Sequence, residues 1–376
     1  MKRVLHIQMT KSIGGIAAVQ RNLLNHIDRS RYLFDFVTTY PDAALIPYVE
    51  PLGANIFTLP PERTVISYCV ALYRLVKRER YEIVHIHKNA CANPMALMVC
   101  KLAGVKYIIV HAHNTGSISG KGADCLHYLF RPLFGVLANG RIACGKEAGY
   151  WMFGNKRPFS VLKNGIDLSA YTFRQNVRDR VRKELGVEDK LVIGHVGNYI
   201  PQKNHRFVID ILEEILKLCP EVVLLLVGRG EAMETMKAYA QGKGLSEHVR
   251  FLGARTDVAE LYQGMDVFLF PSLHEGFPVV GVEAQTAGLP CAFSDAITED
   301  VVLTKTAVRI PLTLPAKQWA EQVLALTKTA KRVESAAQML QSDFSAEKMA
   351  QALEEIYEKG LPVCPNTSSK NRRNHR

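Results

Sequence analysis

The feature that most constrains this chain is an alternation. Short, nearly unbroken apolar runs rich in β-branched residues are each followed by a segment with helical periodicity. In the first half the strand candidates are "RVLHIQ", "FDFVTT", "IVHIH", "YIIVHAH" and "GRIACG". Between the first two, Ile16, Val19, Leu23 and Ile27 recur at helical spacing behind a Gly-Gly pair. Strands this apolar suit a parallel sheet buried on both faces, which needs a long crossover after each strand. The pattern then restarts with "LVIGHVG", "EVVLLLVG", "VRFLG", "DVFLFPS" and "PCAFSD". The chain therefore reads as α/β, with two doubly wound, Rossmann-like domains in tandem. Two such domains make a cleft between them with strand carboxyl ends facing it, where open α/β sheets bind ligands.

A chain of 376 residues fits two domains of ordinary size. The first is expected over residues 1–175 and the second over 176–344. A helix at 345–360 should pack back toward the first domain, with Ser345 as N-cap and Gly360 as stop. Residues 361–376 are polar and basic and read as a disordered tail. No window approaches the ~20 apolar residues of a membrane-spanning helix. The start, "MKRVLHIQMT", reads as a strand rather than a signal peptide, so the expected location is the cytoplasm. The eight cysteines form no C-x-x-C pair and read as free thiols.

Charge is divided unevenly. Residues 1–175 carry 22 Lys and Arg against 10 Asp and Glu, and the remainder carries 25 against 26. A basic first half suits nucleic acid, an anionic membrane surface or a phosphorylated substrate, or simply a solvated surface.

The stretch "HEGFPVVGVEAQTAGLP" sets Glu275 and Glu283 eight positions apart across an apolar run. "DVFLFPS" before it is a strand, Pro278 marks a helix start, and Gly288 with Pro290 marks the end. Unpaired N–H groups near Gly276 to Val280 make an anion site aided by the helix dipole. A carboxylate beside that site would repel a lone phosphate, but it fits a ligand that also offers hydroxyl groups. A diphosphate flanked by two sugars meets both demands. Spacing alone equally allows a helix-cap acid and a solvated helix residue. His113, His111, His85 and His87 likewise read as satisfied core histidines or as hydrogen-bond partners for a substrate.

The whole segment "HEGFPVVGVEAQTAGLPCAFSD" resembles the Glu-x7-Glu signature of glycosyltransferase family 4, retaining enzymes of GT-B fold. The similarity continues through "GGIAAVQRNL", "KNGID", "VGNYIPQKNH", "LLLVGRGE" and "VRFLGARTDV", so it covers almost the entire chain. "EAQTAGLPC" and "SDAITED" are similar to members from bacterial exopolysaccharide clusters. The resemblance implies that Glu275 holds hydroxyls of the donor sugar and Glu283 the nucleotide ribose. Backbone at Gly276, Phe277, Pro278 and Val279 would meet sugar and diphosphate, and Lys203 would neutralise the leaving diphosphate. Gly15 would let backbone pack against the phosphates, and His113 would face the donor sugar. Where the family usually has Arg in "VGR", this chain has Asn198, which lacks the bidentate cation. Arg229 in "LLVGRGE" is the candidate replacement.

The implied reaction moves a glycosyl group from a nucleotide diphosphate sugar, expected to be a UDP-sugar, to a saccharide acceptor, expected to be lipid-linked, with retention. No Asp-x-Asp metal motif stands in the chain, so no metal or other cofactor is expected. Nucleic acid is not an expected partner, whereas the stretch "HYLFRPLFGVLANGR" and the basic first half allow peripheral contact with the anionic inner membrane face. A GT-B epimerase, or a non-catalytic scaffold that binds nucleotide sugar, remain the alternatives. A dinucleotide dehydrogenase is disfavoured because no G-x-G-x-x-G follows the first strand.

Overall fold

Every strand pairing is parallel, and the two sheets share one winding order. The computed structural model describes residues 1–11, 15–116, 121–329, 332–340 and 342–359. Met1–Lys163 and the chain from Ala350 onward form one unit, and Asn164–Met349 form the other.

In the first unit the strands are β1 (Lys2–Met9), β2 (Tyr32–Thr38), β3 (Ile56–Thr58), β4 (Ile83–Lys88), β5 (Tyr107–Ala112), β6 (Gly140–Ala143) and β7 (Ser160–Val161). They lie in the order β3-β2-β1-β4-β5-β6-β7. The second unit holds β8 (Leu191–Val196), β9 (Val222–Val227), β10 (Val249–Gly253), β11 (Val267–Phe270), β12 (Cys291–Ser294) and β13 (Ala307–Ile310), in the order β10-β9-β8-β11-β12-β13. In each sheet the winding reverses once, at β1/β4 and at β8/β11. That reversal is where crossover helices diverge and leave room above the strand ends.

The near-continuous apolar strands behave as their composition dictates. All six residues of β9 are buried. Val223, Leu225, Phe268 and Phe270 enter the core on one face, while Leu224, Leu226 and Leu269 enter the core on the other. Each such side chain contributes about 1.5–3 kcal/mol by leaving water.

Three short strands, β3, β7 and β13, were not expected from the pattern. Two or three residues cannot display a period, and "AVRI" of β13 is interrupted by Arg309. The division between units also differs from the expected residue 175, falling after Lys163. The reason lies in the turn that follows. Asp167 caps the short helix Leu168–Tyr171, Ile166 bridges Ser345, and Gln263 Nε2 donates to the Tyr171 carbonyl at 3.0 Å. Residues 164–175 are thereby tied to the second unit, the Arg174 amide also donating to Gln263 Oε1 at 3.0 Å.

The last helix is Ala346–Lys359, with Ser345 Oγ accepting from the Lys348 amide at 3.1 Å. Its later part belongs to the first unit, where the Tyr357 hydroxyl meets His85 Nδ1 at 2.8 Å. The second unit accordingly runs to Met349 rather than to 344. Gly360, Cys364 and the basic tail lie outside the described residues. The other seven cysteines are free thiols. Among the described residues, no helix is long and apolar enough to cross a membrane.

Candidate active site

The winding reversal of the second unit places two loops side by side, one after β8 and one after β11. After β8 the chain makes a 3-10 turn, Pro201–Lys203, and Asn204 then takes a left-handed conformation (φ 56°) to enter the helix His205–Leu216. Asn204 Nδ2 donates to the Pro271 carbonyl at 3.2 Å. The Leu273 amide donates to the Gln202 carbonyl at 2.8 Å, and Gln202 Nε2 to the His274 carbonyl at 2.7 Å. These bonds stitch the loops together and fix what they carry. Lys203 Nζ sits 2.7 Å from Glu275 Oε1, with the two side chains only 15% and 10% exposed. The ammonium also lies 4.6 Å from the centre of the Phe270 ring. A cation and a carboxylate are thus held together at the strand ends, the first matched to a phosphate and the second to hydroxyl groups.

The helix after Glu275 is Val279–Thr286. Its N-cap is Pro278, in extended conformation, and no side chain caps it. Gly276, Phe277 and Pro278 are buried and Val279 is half-buried. A helix start without a side-chain cap directs its first amides to whatever binds there. The Phe277 ring stacks on Phe344, with ring centres 5.1 Å apart at 12°. That contact anchors the loop from its outer side.

Glu283 is placed by two phenols. The Tyr171 hydroxyl donates to Oε1 at 3.1 Å and the Tyr262 hydroxyl to Oε2 at 3.0 Å. Burial, reinforced by the Glu283 charge, raises the Tyr262 phenol well above its usual range, so it remains a proton donor. The carboxylate is therefore oriented before any ligand arrives.

Asn198 and Arg229 occupy neighbouring loops at the same strand ends. A Cβ on Gly228 (φ +154°) would fall 2.0 Å from the Gly197 carbonyl oxygen, so only glycine permits this approach of the two backbones. The Tyr199 amide donates to the Arg229 carbonyl at 2.9 Å. The Arg229 side chain is exposed.

Gly15 and His113 belong to the first unit. Gly15 opens the helix Gly15–His26 after β1, and a Cβ there would meet no atom. His113 follows β5, with Nε2 at 2.9 Å from His87 Nδ1. His85, His87 and His111 are fully buried, and burial lowers their pKa values well below the normal range. Burial likewise pushes His113 down to about 3.

Sequence reasoning missed Tyr171, Tyr262, Gln202, Phe270 and His6. Tyr171 and Tyr262 lie 112 and 21 positions from Glu283, so no local spacing links them to it. His6 sits within "RVLHIQ", where only its polarity amid apolar neighbours stands out.

Comparison with known proteins agrees with this architecture. Residues 13–170 match the family described as Glycosyltransferase Family 4, and residues 177–341 match Glycosyl transferases group 1. The putative glycosyltransferase EpsF of Bacillus subtilis is 34% identical over 334 residues, covering 86% of this chain and 87% of that protein. An Escherichia coli enzyme, UDP-Gal:alpha-D-GlcNAc-diphosphoundecaprenol alpha-1,3-galactosyltransferase, is 28% identical over 78% of this chain and 79% of its own length. Among solved structures, Anabaena HepE in complex with UDP-glucose superimposes with a TM-score of 0.79 at 19% identity, covering 96% of this chain and all of that one. The fold is GT-B, with two Rossmann-like α/β sheets. The chain belongs to the family 4 glycosyltransferases and is a glycosyltransferase enzyme.

Proposed function

We propose that the enzyme transfers a glycosyl group from a UDP-sugar to a lipid-diphosphate-linked saccharide, with retention at the anomeric carbon, in exopolysaccharide assembly. The observation that carries this reading is the Lys203–Glu275 pair beside a helix start that no side chain caps. A UDP-sugar would separate the pair: the diphosphate takes the ammonium and the helix amides, and the sugar hydroxyls take Glu275. Positive charge is then in place where the leaving diphosphate develops negative charge, the arrangement that lowers such barriers most. Glu283, held by Tyr171 and Tyr262, accepts from the ribose hydroxyls. On this reading neither glutamate attacks the sugar; the leaving phosphate takes the acceptor proton on the same face. Lys203 and the amides do the work a metal would do elsewhere, so no cofactor is needed. The UDP-glucose complex of HepE and the galactosyltransferase's lipid-linked acceptor support the donor and acceptor classes.

For the acceptor, we assign a cavity of about 660 Å³ in the first unit, lined by Lys11, Tyr40, Glu62 and Arg63 among others. Its two cations suit a diphosphate, and Tyr40 and Glu62 suit saccharide hydroxyls. Membrane contact is assigned to the helix Lys121–Leu137. That helix buries Phe134 but exposes Leu126, Tyr128, Leu129 and Val136, with Arg131 over the Tyr128 ring. Apolar side chains flanked by cations bind anionic bilayers in this way. Binding to phosphatidylglycerol vesicles that weakens with salt is the expected result; equal binding to neutral vesicles contradicts it.

The function is tested by a thermal-shift screen of nucleotide sugars, followed by turnover with an undecaprenyl-diphosphate N-acetylglucosamine acceptor. A UDP-sugar should raise the melting point and be consumed only with acceptor present. Donor consumption without acceptor, giving an epimer, would refute the transfer reading.

A further inference from the structure

Lys88 closes β4 at the winding reversal of the first sheet, and its side chain is only 8% exposed. A buried ammonium is costly unless it is paired. Among the described residues its one acidic partner is Glu62, whose Oε1 lies 3.7 Å away. Glu62 Oε2 accepts from Asn93 Nδ2 at 2.5 Å. Glu62 lines the cavity of the first unit, whereas Lys88 and Asn93 stand behind it and do not. The carboxylate is therefore held from its rear by a cation and an amide.

The segment that carries Asn93 is itself pinned. Trp151 Nε1 donates to the Asn89 carbonyl at 3.0 Å, and the Cys91 amide donates to His127 Nδ1 at 3.0 Å. The rings of His127 and Trp151 stack 3.8 Å apart at 10°. The Met95 amide donates to Asn93 Oδ1 at 3.0 Å, which fixes the Asn93 side chain with its N–H toward Glu62. A group fixed in this way loses little conformational freedom when a ligand binds.

The same cavity offers a hydroxyl that is not yet used. Tyr68 is 1% exposed and lines the cavity, yet its hydroxyl makes no hydrogen bond among the described residues. Burial, with the Glu62 charge adding to it, raises this phenol above its usual range, so it stays a proton donor. A carboxylate that accepts and a phenol that donates suit sugar hydroxyls, which do both. A phosphate does not suit this part of the wall, because Glu62 repels it.

We propose that Glu62 and Tyr68 read the terminal sugar of the acceptor, one accepting from a hydroxyl and the other donating to one. Lys88 and Asn93 are positioning residues that hold Glu62 for this contact. The inference rests on the transfer reading and the acceptor cavity assigned above. It adds that the acceptor is selected by the hydroxyls of its sugar and not by its diphosphate alone.

The test is equilibrium dialysis of the full chain against two probes, a short-chain polyprenyl-diphosphate N-acetylglucosamine and the same polyprenyl diphosphate without sugar. The wild type should bind the sugar-bearing probe at least about tenfold more tightly, the worth of one hydrogen bond to a charged group. Glu62→Ala and Tyr68→Phe should each narrow that preference while UDP affinity by calorimetry stays unchanged. In turnover, Glu62→Ala should raise KM for the acceptor about 10- to 100-fold and leave KM for the donor alone. Asn93→Ala and Lys88→Met should raise acceptor KM by less. Neither should add to the loss in a Glu62→Ala background, because each acts only through that carboxylate. Equal binding of the two probes by the wild type overturns the proposal, and that comparison decides even if a variant fails to fold. A wild-type acceptor KM in Glu62→Ala, or full additivity of Asn93→Ala with Glu62→Ala, also overturns it. If the wild type transfers to no acceptor, the functional reading fails; if it transfers while both probes bind equally, this inference alone fails.

Discussion

Lys203 Nζ lies 2.7 Å from Glu275 Oε1, although 72 residues separate them in the chain. The pair exists because β8 and β11 are neighbours at the winding reversal and because Gln202 and Asn204 tie their loops together. On the proposed reading its two members serve opposite chemistries, which makes them separable by mutation. Lys203→Ala should reduce kcat about 100- to 1000-fold, the range for removing one preorganised donor from developing negative charge. Lys203→Arg, keeping the charge, should recover part of that loss. Steady-state UDP release checks both.

Glu283 is predicted to act in binding rather than in the chemical step. Glu283→Gln should raise KM for the donor about tenfold with kcat nearly unchanged, the signature of lost uniform binding. Tyr171→Phe and Tyr262→Phe should each move KM in the same direction by less, because either phenol alone still holds the carboxylate. A kcat effect larger than the KM effect in Glu283→Gln would contradict this assignment.

Arg229 stands on the loop beside Asn198. If it supplies the cation that Asn198 cannot, Arg229→Ala should weaken UDP binding about tenfold by calorimetry, and Asn198→Arg in that background should restore it. Unchanged UDP affinity in Arg229→Ala rejects the compensation. Turnover should also survive EDTA; recovery of a lost rate on adding Mg²⁺ or Mn²⁺ would show that Lys203 and the helix amides do not suffice.

Buried histidines set a pH dependence of stability. Burial holds His6 and His113 at about 3 and His205 at about 4, whereas the unfolded chain titrates at the usual value of 6.5. Below 6.5 the unfolded state binds more protons, so stability is fully present above that pH and falls as acid is added. Each such histidine costs about 1.4 kcal/mol per pH unit until its folded value is reached. The melting point should drop steeply from pH 7 to pH 5, and His113→Gln should shallow the slope. A melting point flat across that window contradicts the neutral state of these buried histidines.

Much of this was legible in the residues. The apolar runs predicted parallel sheets, and the Glu275 to Glu283 spacing with Pro278 between them predicted a strand, a loop and a helix start. The partners of those residues were not legible. Tyr171 and Tyr262 reach Glu283 only after the "KNGID" turn and the helix Val258–Gly264 have folded against one another. The division at Lys163 was equally hidden, because it depends on Ile166 bridging Ser345, far along the chain. The buried histidines of the first sheet meet only through the register of three strands, and each strand on its own shows only a polar interruption.

The central claim is that a donor diphosphate displaces Glu275 from Lys203 and that transfer then proceeds on one face of the sugar. It is tested most directly by NMR of the anomeric linkage formed from a UDP-α-hexose and a lipid-diphosphate-linked acceptor, with wild type and Lys203→Ala run side by side. An α-linked product from the wild type, formed at least about 100-fold more slowly by the variant, is the predicted result. A β-linked product, or equal rates for the two proteins, would contradict it.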